Sequence, residues 1–250
     1  HVVLGSRTGT EGAEVLPSEV AAALAGRRLK VSTSRPTPGE FAEAYRSTGS
    51  SCLVSVHLSA ELSGTYDAAV LAAAEVAADG IEVRVVDSRT IAMGLGFVVL
   101  AAAQAARDGA DAEAVAAAAT AVDTDVLFYV DTLEHLRRGG RIGAAAALFG
   151  TALAVKPLLH VTGGQIAPLE KVRTASKALT RLEELAVQRA GDGPVDLAVH
   201  HLAAGDKAAA LAGRLSARLP GLGALHVSEV GAVVGAHVGP GLLGVVVSRR

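Results

Sequence analysis

The chain has 250 residues, half of them hydrophobic, with 23 Lys+Arg against 25 Asp+Glu and a formal charge of −2. These proportions exclude a disordered chain, which pairs low hydrophobicity with high net charge, and argue against a nucleic-acid binder, which carries a basic excess. The single cysteine, Cys52, excludes internal disulfides and multi-cysteine zinc sites and fits a reducing compartment.

Aromatic residues make up 3% of the chain and Trp is absent, so base-stacking platforms are not expected and the core must come from Ala, Val, Leu and Ile. The longest apolar stretch, residues 230–247, has the length of a membrane span but contains His237, Pro240 and several glycines. It reads as two buried strands joined at Gly239-Pro240-Gly241. No basic-then-apolar signal opens the sequence. A soluble, cytoplasmic protein with no stable membrane insertion is expected.

In chain order, a helix is predicted over 11–25, followed by a turn-rich loop at 31–39 and a short helix over 40–47. An α/β rhythm follows: strand 51–56, helix 65–78, strand 83–86, then helices 94–107 and 111–122. This alternation predicts a parallel sheet with helices on both faces. After Asp123 the pattern changes. Strand 126–130 and a helical turn over 132–136 precede two strands, 158–161 and 165–169, whose connection Thr162-Gly163-Gly164 is a hairpin signal. Helix 174–190, strand 196–200, helix 204–217 and strands around 225–228, 233–237 and 243–248 complete the chain. The expected fold class is α/β in two domains: an N-terminal parallel-sheet α/β domain over 1–122 and a C-terminal α+β domain with a mixed sheet over 123–250.

Several enzyme signatures fail on context. Gly239-Pro240-Gly241-Leu242-Leu243-Gly244 matches G-x-G-x-x-G, but the residues after it read as a strand, where a dinucleotide site needs a helix N-terminus. There is no Walker A sequence, no H-E-x-x-H and no G-x-S-x-G, and neither a metal nor a cofactor is expected. Three polar segments are more informative. Thr33-Ser34 lies in a Ser/Thr/Pro loop and Ser63-Gly64-Thr65 at a strand-to-helix junction, while His237 closes an apolar segment. Each also has an ordinary structural reading, as a turn, a helix cap and a buried strand histidine. Hydroxyls and free amides at a helix start can equally hold an anion.

The segment from Thr33 to Phe41 resembles the Thr-Ser-x-Pro-Ser-Pro-x-x-Phe loop of the DegV family of bacterial fatty-acid-binding proteins. Leu62-Ser63-Gly64-Thr65-Tyr66-Asp67-Ala68-Ala69 is similar to its Leu-Ser-Gly-Thr-Tyr-x-x-Ala motif. Further matches follow in the family's order: Val86-Asp87-Ser88, Leu136-Arg137-Arg138-Gly139-Gly140-Arg141-Ile142, Lys156-Pro157, Lys171-Val172-Arg173-Thr174 and His237-Val238-Gly239-Pro240-Gly241. Two departures stand out. The family opens with a strand and an Asp-Ser-Thr-Ala-type loop, and no such segment precedes His1, so the first sheet strand is expected to be missing. Arg35 and Thr37 stand where the family often has Gln and Ser.

The resemblance implies a long-chain fatty acid in a tunnel between the two domains. Thr33 and Ser63 would hold its carboxylate, with Ser34, the Gly64 amide, Arg173 and a cationic His237 as further donors. It also implies a carrier rather than an enzyme, one that presents the carboxylate to an ATP-dependent fatty acid kinase forming an acyl phosphate for phospholipid synthesis. Arg137, Arg138 and Arg141 read either as a docking site for that partner or as a solvated loop. Two other readings stay open. One is a serine acyl hydrolase with Ser63 as nucleophile, His237 as base and Asp87 as orienter, although the G-x-S-x-G elbow is lacking. The other is a binder of a polar metabolite in an α/β crevice.

Overall fold

The computed structural model describes residues 1–26, 30–148 and 156–250. They form two compact units: His1–Ser34 with Thr124–Thr162 and Ile166–Arg250, and Arg35–Asp123 with Gly163–Gln165. This division departs from the sequence-based one, because the first 34 residues group with the C-terminal half. The physical reason lies in their pairing and packing. Strand β1 (Val2–Leu4) is the centre of an antiparallel sheet flanked by β2 (Arg7–Gly9) and β3 (Val31–Thr33), with Val2 opposite both Gly9 and Thr33. Val2, Val15 and Val20, the last on α1 (Pro17–Gly26), are fully buried and pack with Ala232 and Ala236. Residues 31–33, expected in a loop, are therefore a strand.

The second unit is built on two strands, β4 (Cys52–His57) and β5 (Glu82–Asp87), paired in parallel from Cys52↔Glu82 to His57↔Asp87. Side chains alternate between the faces of such a sheet. Leu53 and Val83 meet Ala42 and Tyr45 of α2 (Pro38–Ser47) and Ala72 and Val76 of α3 (Thr65–Val76). Val54, Val56 and Val86 meet Val98 and Ala102 of α4 (Met93–Arg107) and Val115 and Ala119 of α5 (Ala112–Thr120). The expected parallel sheet with helices on both faces is present, with two strands among the described residues. Helix α2 starts on a capping box, in which Thr37 accepts from the Glu40 amide and the Glu40 carboxylate accepts from the Thr37 amide.

The remaining elements belong mainly to the first unit. They are β6 (Asp123–Tyr129), α6 (Glu134–Arg138), β7 (Lys156–Thr162), β8 (Gln165–Val172), α7 (Ala175–Ala190), β9 (Val195–His201), α8 (Gly205–Arg218), β10 (Leu222–Glu229), α9 (Ala232–Val238) and β11 (Leu243–Arg249). Their six strands form one sheet in the order β10-β9-β11-β6-β7-β8. It is mixed, since β9–β10 is parallel while β9–β11 and β6–β7 are antiparallel. Leu127, Leu158, Leu197, Val199 and Val245 from the sheet pack with Leu182 of α7 and Leu211 and Leu215 of α8. Glu183, nearly buried at the edge of this core, is flanked by Arg214 at 2.6 Å and Arg218 at 2.9 Å.

One element is of a different type from the expectation. Residues 233–237 are helical, in α9, and not a strand. Val233-Val234 gives a β signal, but the buried positions Ala232, Gly235, Ala236 and Val238 follow helical spacing and bury one face. Gly239 then ends the helix at φ +77°, its N–H bonding the Gly235 carbonyl at 2.9 Å. His237 therefore sits in the last turn of a helix.

Candidate functional site

In the first unit the structure joins two of the predicted residues. Thr33 is the last residue of β3, and its Oγ1 lies 2.8 Å from His237 Nε2. The other ring nitrogen, Nδ1, is buried and has no hydrogen-bond partner among the described residues. It rests on Gly139, where a Cβ would collide with it. Burial, and then the positive charge of Arg141, push the His237 pKa down to about 4. The imidazole is thus neutral at neutral pH, which corrects the expectation of a cationic histidine: desolvation outweighs any gain from charge.

A neutral ring carries one proton, and its surroundings assign it. With the proton on Nε2, the bare Nδ1 faces the field of Arg141 and no buried N–H is orphaned. Nε2–H then donates to Thr33 Oγ1, leaving the threonine proton directed elsewhere as a donor. Thr33 and His237 open onto a cavity of about 360 Å³ whose wall includes Lys30, His135, Arg138 and Arg141. Among the described residues, basic groups line it and no carboxylate does. Ser34 is exposed and its amide bonds the His1 carbonyl at 3.1 Å. Arg173 is exposed just beyond β8 and is not bonded to Thr33 or His237.

In the second unit Ser63 and Gly64 lie between β4 and α3. Ser63 Oγ is 2.7 Å from Thr65 Oγ1 and accepts from the Thr65 amide at 3.3 Å. Gly64 is the N-cap of α3 and has no side chain to satisfy the free amides there. Between them the two hydroxyls hold two protons, one used in their mutual bond and one left for an acceptor. The guanidinium and stem of Arg35 lie directly over Gly64, where a Cβ would displace this exposed side chain. Sequence reasoning missed this placement and the seat that Gly139 provides for His237. The Leu-Ser-Gly-Thr motif and the Arg-Gly-Gly-Arg run were the available signals.

The groups needed by a hydrolase are bonded elsewhere. Ser63 pairs with Thr65 and His237 with Thr33, while Asp87 Oδ1 accepts from the amides of Ala60 at 3.2 Å and Arg89 at 2.9 Å. Among the described residues no cluster of three or more His, Cys, Asp or Glu is disposed to hold a metal ion, and no helix is long and apolar enough to cross a membrane.

A family model described as an uncharacterised protein of the DegV family matches residues 1–250. A DegV domain-containing protein of Streptomyces coelicolor is 63% identical over 254 residues, covering 100% of this chain and 89% of the relative. Among solved structures, a DegV family protein from Thermus thermophilus described for its fatty acid binding superposes with a TM-score of 0.90 at 32% identity, over 100% of this chain and 90% of that one. DegV from Bacillus subtilis, described as a fatty acid binding protein, gives 0.89 at 33% identity, over 100% and 89%. The chain belongs to the DegV family.

The neutral state of His237 has consequences for stability and for titration. His57, His160, His200 and His237 all have pKa values lowered first by burial. A histidine whose folded pKa lies below its unfolded value of about 6.5 contributes stability that is complete above that pH. The contribution is lost as pH falls toward the folded value, about 4 for His237. The melting temperature should therefore drop between pH 6.5 and 5, and less steeply in His237→Gln; equal slopes in the two proteins would refute the assignment. Separately, Gly139 has ordinary helical dihedrals, so Gly139→Ala strains no backbone but drives a methyl group into the imidazole. We expect a loss of about 1–3 kcal/mol and a rise in the NMR-titrated pKa of His237. An unchanged titration would show that the ring is not seated as described.

Proposed function

We propose that this chain binds a long-chain fatty acid by its carboxylate and carries it without performing chemistry on it. The observation that carries the reading is the Thr33–His237 pair, in which the proton assigned to Nε2 leaves the threonine hydroxyl proton for an acceptor. The family relationship to proteins described as fatty-acid-binding supports it. A desolvated carboxylate accepts only, so it needs several converging donors. The proposed set is Thr33 oriented by His237, Ser63 and the Gly64 amide, with Ser34 and Arg173 as further donors. Burying about fourteen methylenes at ~0.8 kcal/mol each supplies roughly 11 kcal/mol gross, reduced by the cost of ordering the chain.

In this reading the protein works in the cytoplasm and presents the carboxylate to an ATP-dependent fatty acid kinase. The kinase transfers the terminal phosphoryl group of ATP to a carboxylate oxygen, giving an acyl phosphate for phospholipid synthesis and ADP. Arg137, Arg138 and Arg141 are the proposed docking cations. Glu134 binds Arg137 at 2.8 Å and Arg138 at 2.7 Å.

Native mass spectrometry of the purified protein, with lipid identification after denaturation, tests the binding. We expect a stoichiometric fatty acid, with affinity lowered at least about tenfold in folded Thr33→Ala and Ser63→Ala proteins. A protein that is isolated empty and takes up neither palmitate nor oleate would overturn the reading. Reversing the charge of Arg137, which does not line the Thr33–His237 cavity as Arg138 and Arg141 do, should slow phosphorylation by the kinase while fatty-acid binding persists. Unchanged kinetics would remove the docking role.

A further inference from the structure

We infer that Arg35 is a specificity-determining residue that makes the second unit select an anionic head group over a neutral one; this rests on the fatty-acid reading above. Arg35 opens the second unit, two residues ahead of the Thr37 cap of α2. Its Nη1, Cζ and Cδ are the nearest atoms to the position a Gly64 Cβ would occupy. The guanidinium thus lies against the peptide whose amide is a proposed carboxylate donor, next in sequence to the hydrogen-bonded hydroxyls of Ser63 and Thr65.

Two features of this placement point to a ligand. First, among the described residues no hydrogen bond or carboxylate partner holds the Arg35 guanidinium. The neighbouring acid Glu40 is engaged by the amide and hydroxyl of Thr37, at 2.7 and 2.8 Å. Second, the charge is of the wrong sign for its position. A helix N-terminus is a positive pole that acids stabilise and cations do not, and α3 is a helix of 12 residues whose N-cap carries no side-chain acceptor. Asp67, exposed in the first turn, offers the pole one compensating charge, but it is not bonded to Arg35. A guanidinium over this N-cap is therefore a cost to the unliganded protein, and an anion received by the guanidinium, the Ser63–Thr65 hydroxyls and the Gly64 amide offsets it. A fatty alcohol of the same length brings no such charge.

The test compares oleate with oleyl alcohol, each competed against a fluorescent acyl probe calibrated for every variant. Arg35→Gln should lose about tenfold in oleate affinity, the effect of one charge-assisted hydrogen bond, and leave oleyl alcohol within about twofold. Its unliganded melting temperature should equal or exceed that of the wild type. Arg35→Lys, which keeps the charge, should recover part of the oleate affinity. An equal loss for acid and alcohol, or no loss for either, would overturn the inference while wild-type binding upholds the fatty-acid reading. A wild-type protein that takes neither ligand would overturn that reading, and this inference with it.

Discussion

A histidine kept neutral by its own burial and bonded to one threonine is the constraint on which the first unit's polar site depends. Thr33 and His237 are 204 residues apart in sequence, and the 2.8 Å bond between them exists because two separate structures are in register. One is the β1–β3 pairing, which fixes Thr33 opposite Val2. The other is α9, whose buried face meets Val2, Val15 and Val20 through Ala232 and Ala236. Core packing thus sets the position of the hydroxyl and of the ring that orients it. Gly139 completes the arrangement by leaving room for Nδ1, and a ring that fills the available space has little freedom to rotate.

The second unit reaches a donor set by different means. Its hydroxyls lie at the start of a helix, where unpaired amides are unavoidable, and Ser63 satisfies just one of them, that of Thr65. Both units use a glycine to bring a polar group close to the backbone: Gly139 beneath an imidazole and Gly64 beneath a guanidinium. The electrostatics differ. Burial next to Arg141 holds His237 uncharged, so Thr33 is oriented by a neutral partner. Arg35 lies exposed at its surface.

How much of this was legible in the sequence depended on the range of the interactions involved. The helices of the second unit and the strands β4 and β5 follow from local composition and period, and Thr162-Gly163-Gly164 marks the β7–β8 hairpin directly. Helix α9 was read as a strand because Val233 and Val234 favour a pleated surface. The deciding factor is burial of one helical face against residues more than 200 positions earlier. The same remote packing draws the first 34 residues to the C-terminal half, which a reading along the chain cannot anticipate. Motifs identified Thr33, Ser63 and His237 as polar residues worth attention. The charge on His237 was not legible, since it depends on desolvation. Nor was the position of Arg35, which in the sequence is simply a basic residue in a turn.

The division of labour between tail and head group follows from these facts if the ligand is a fatty acid. Burial of an acyl chain supplies most of the affinity, but it scales with area and discriminates poorly between an acid, an alcohol and an ester of equal length. The head group adds little net affinity, because its donors must first offset the desolvation of a carboxylate. What it adds is selection. A ligand lacking the charge leaves those donors unmatched, and an unmatched buried donor costs more than the matched pair gains.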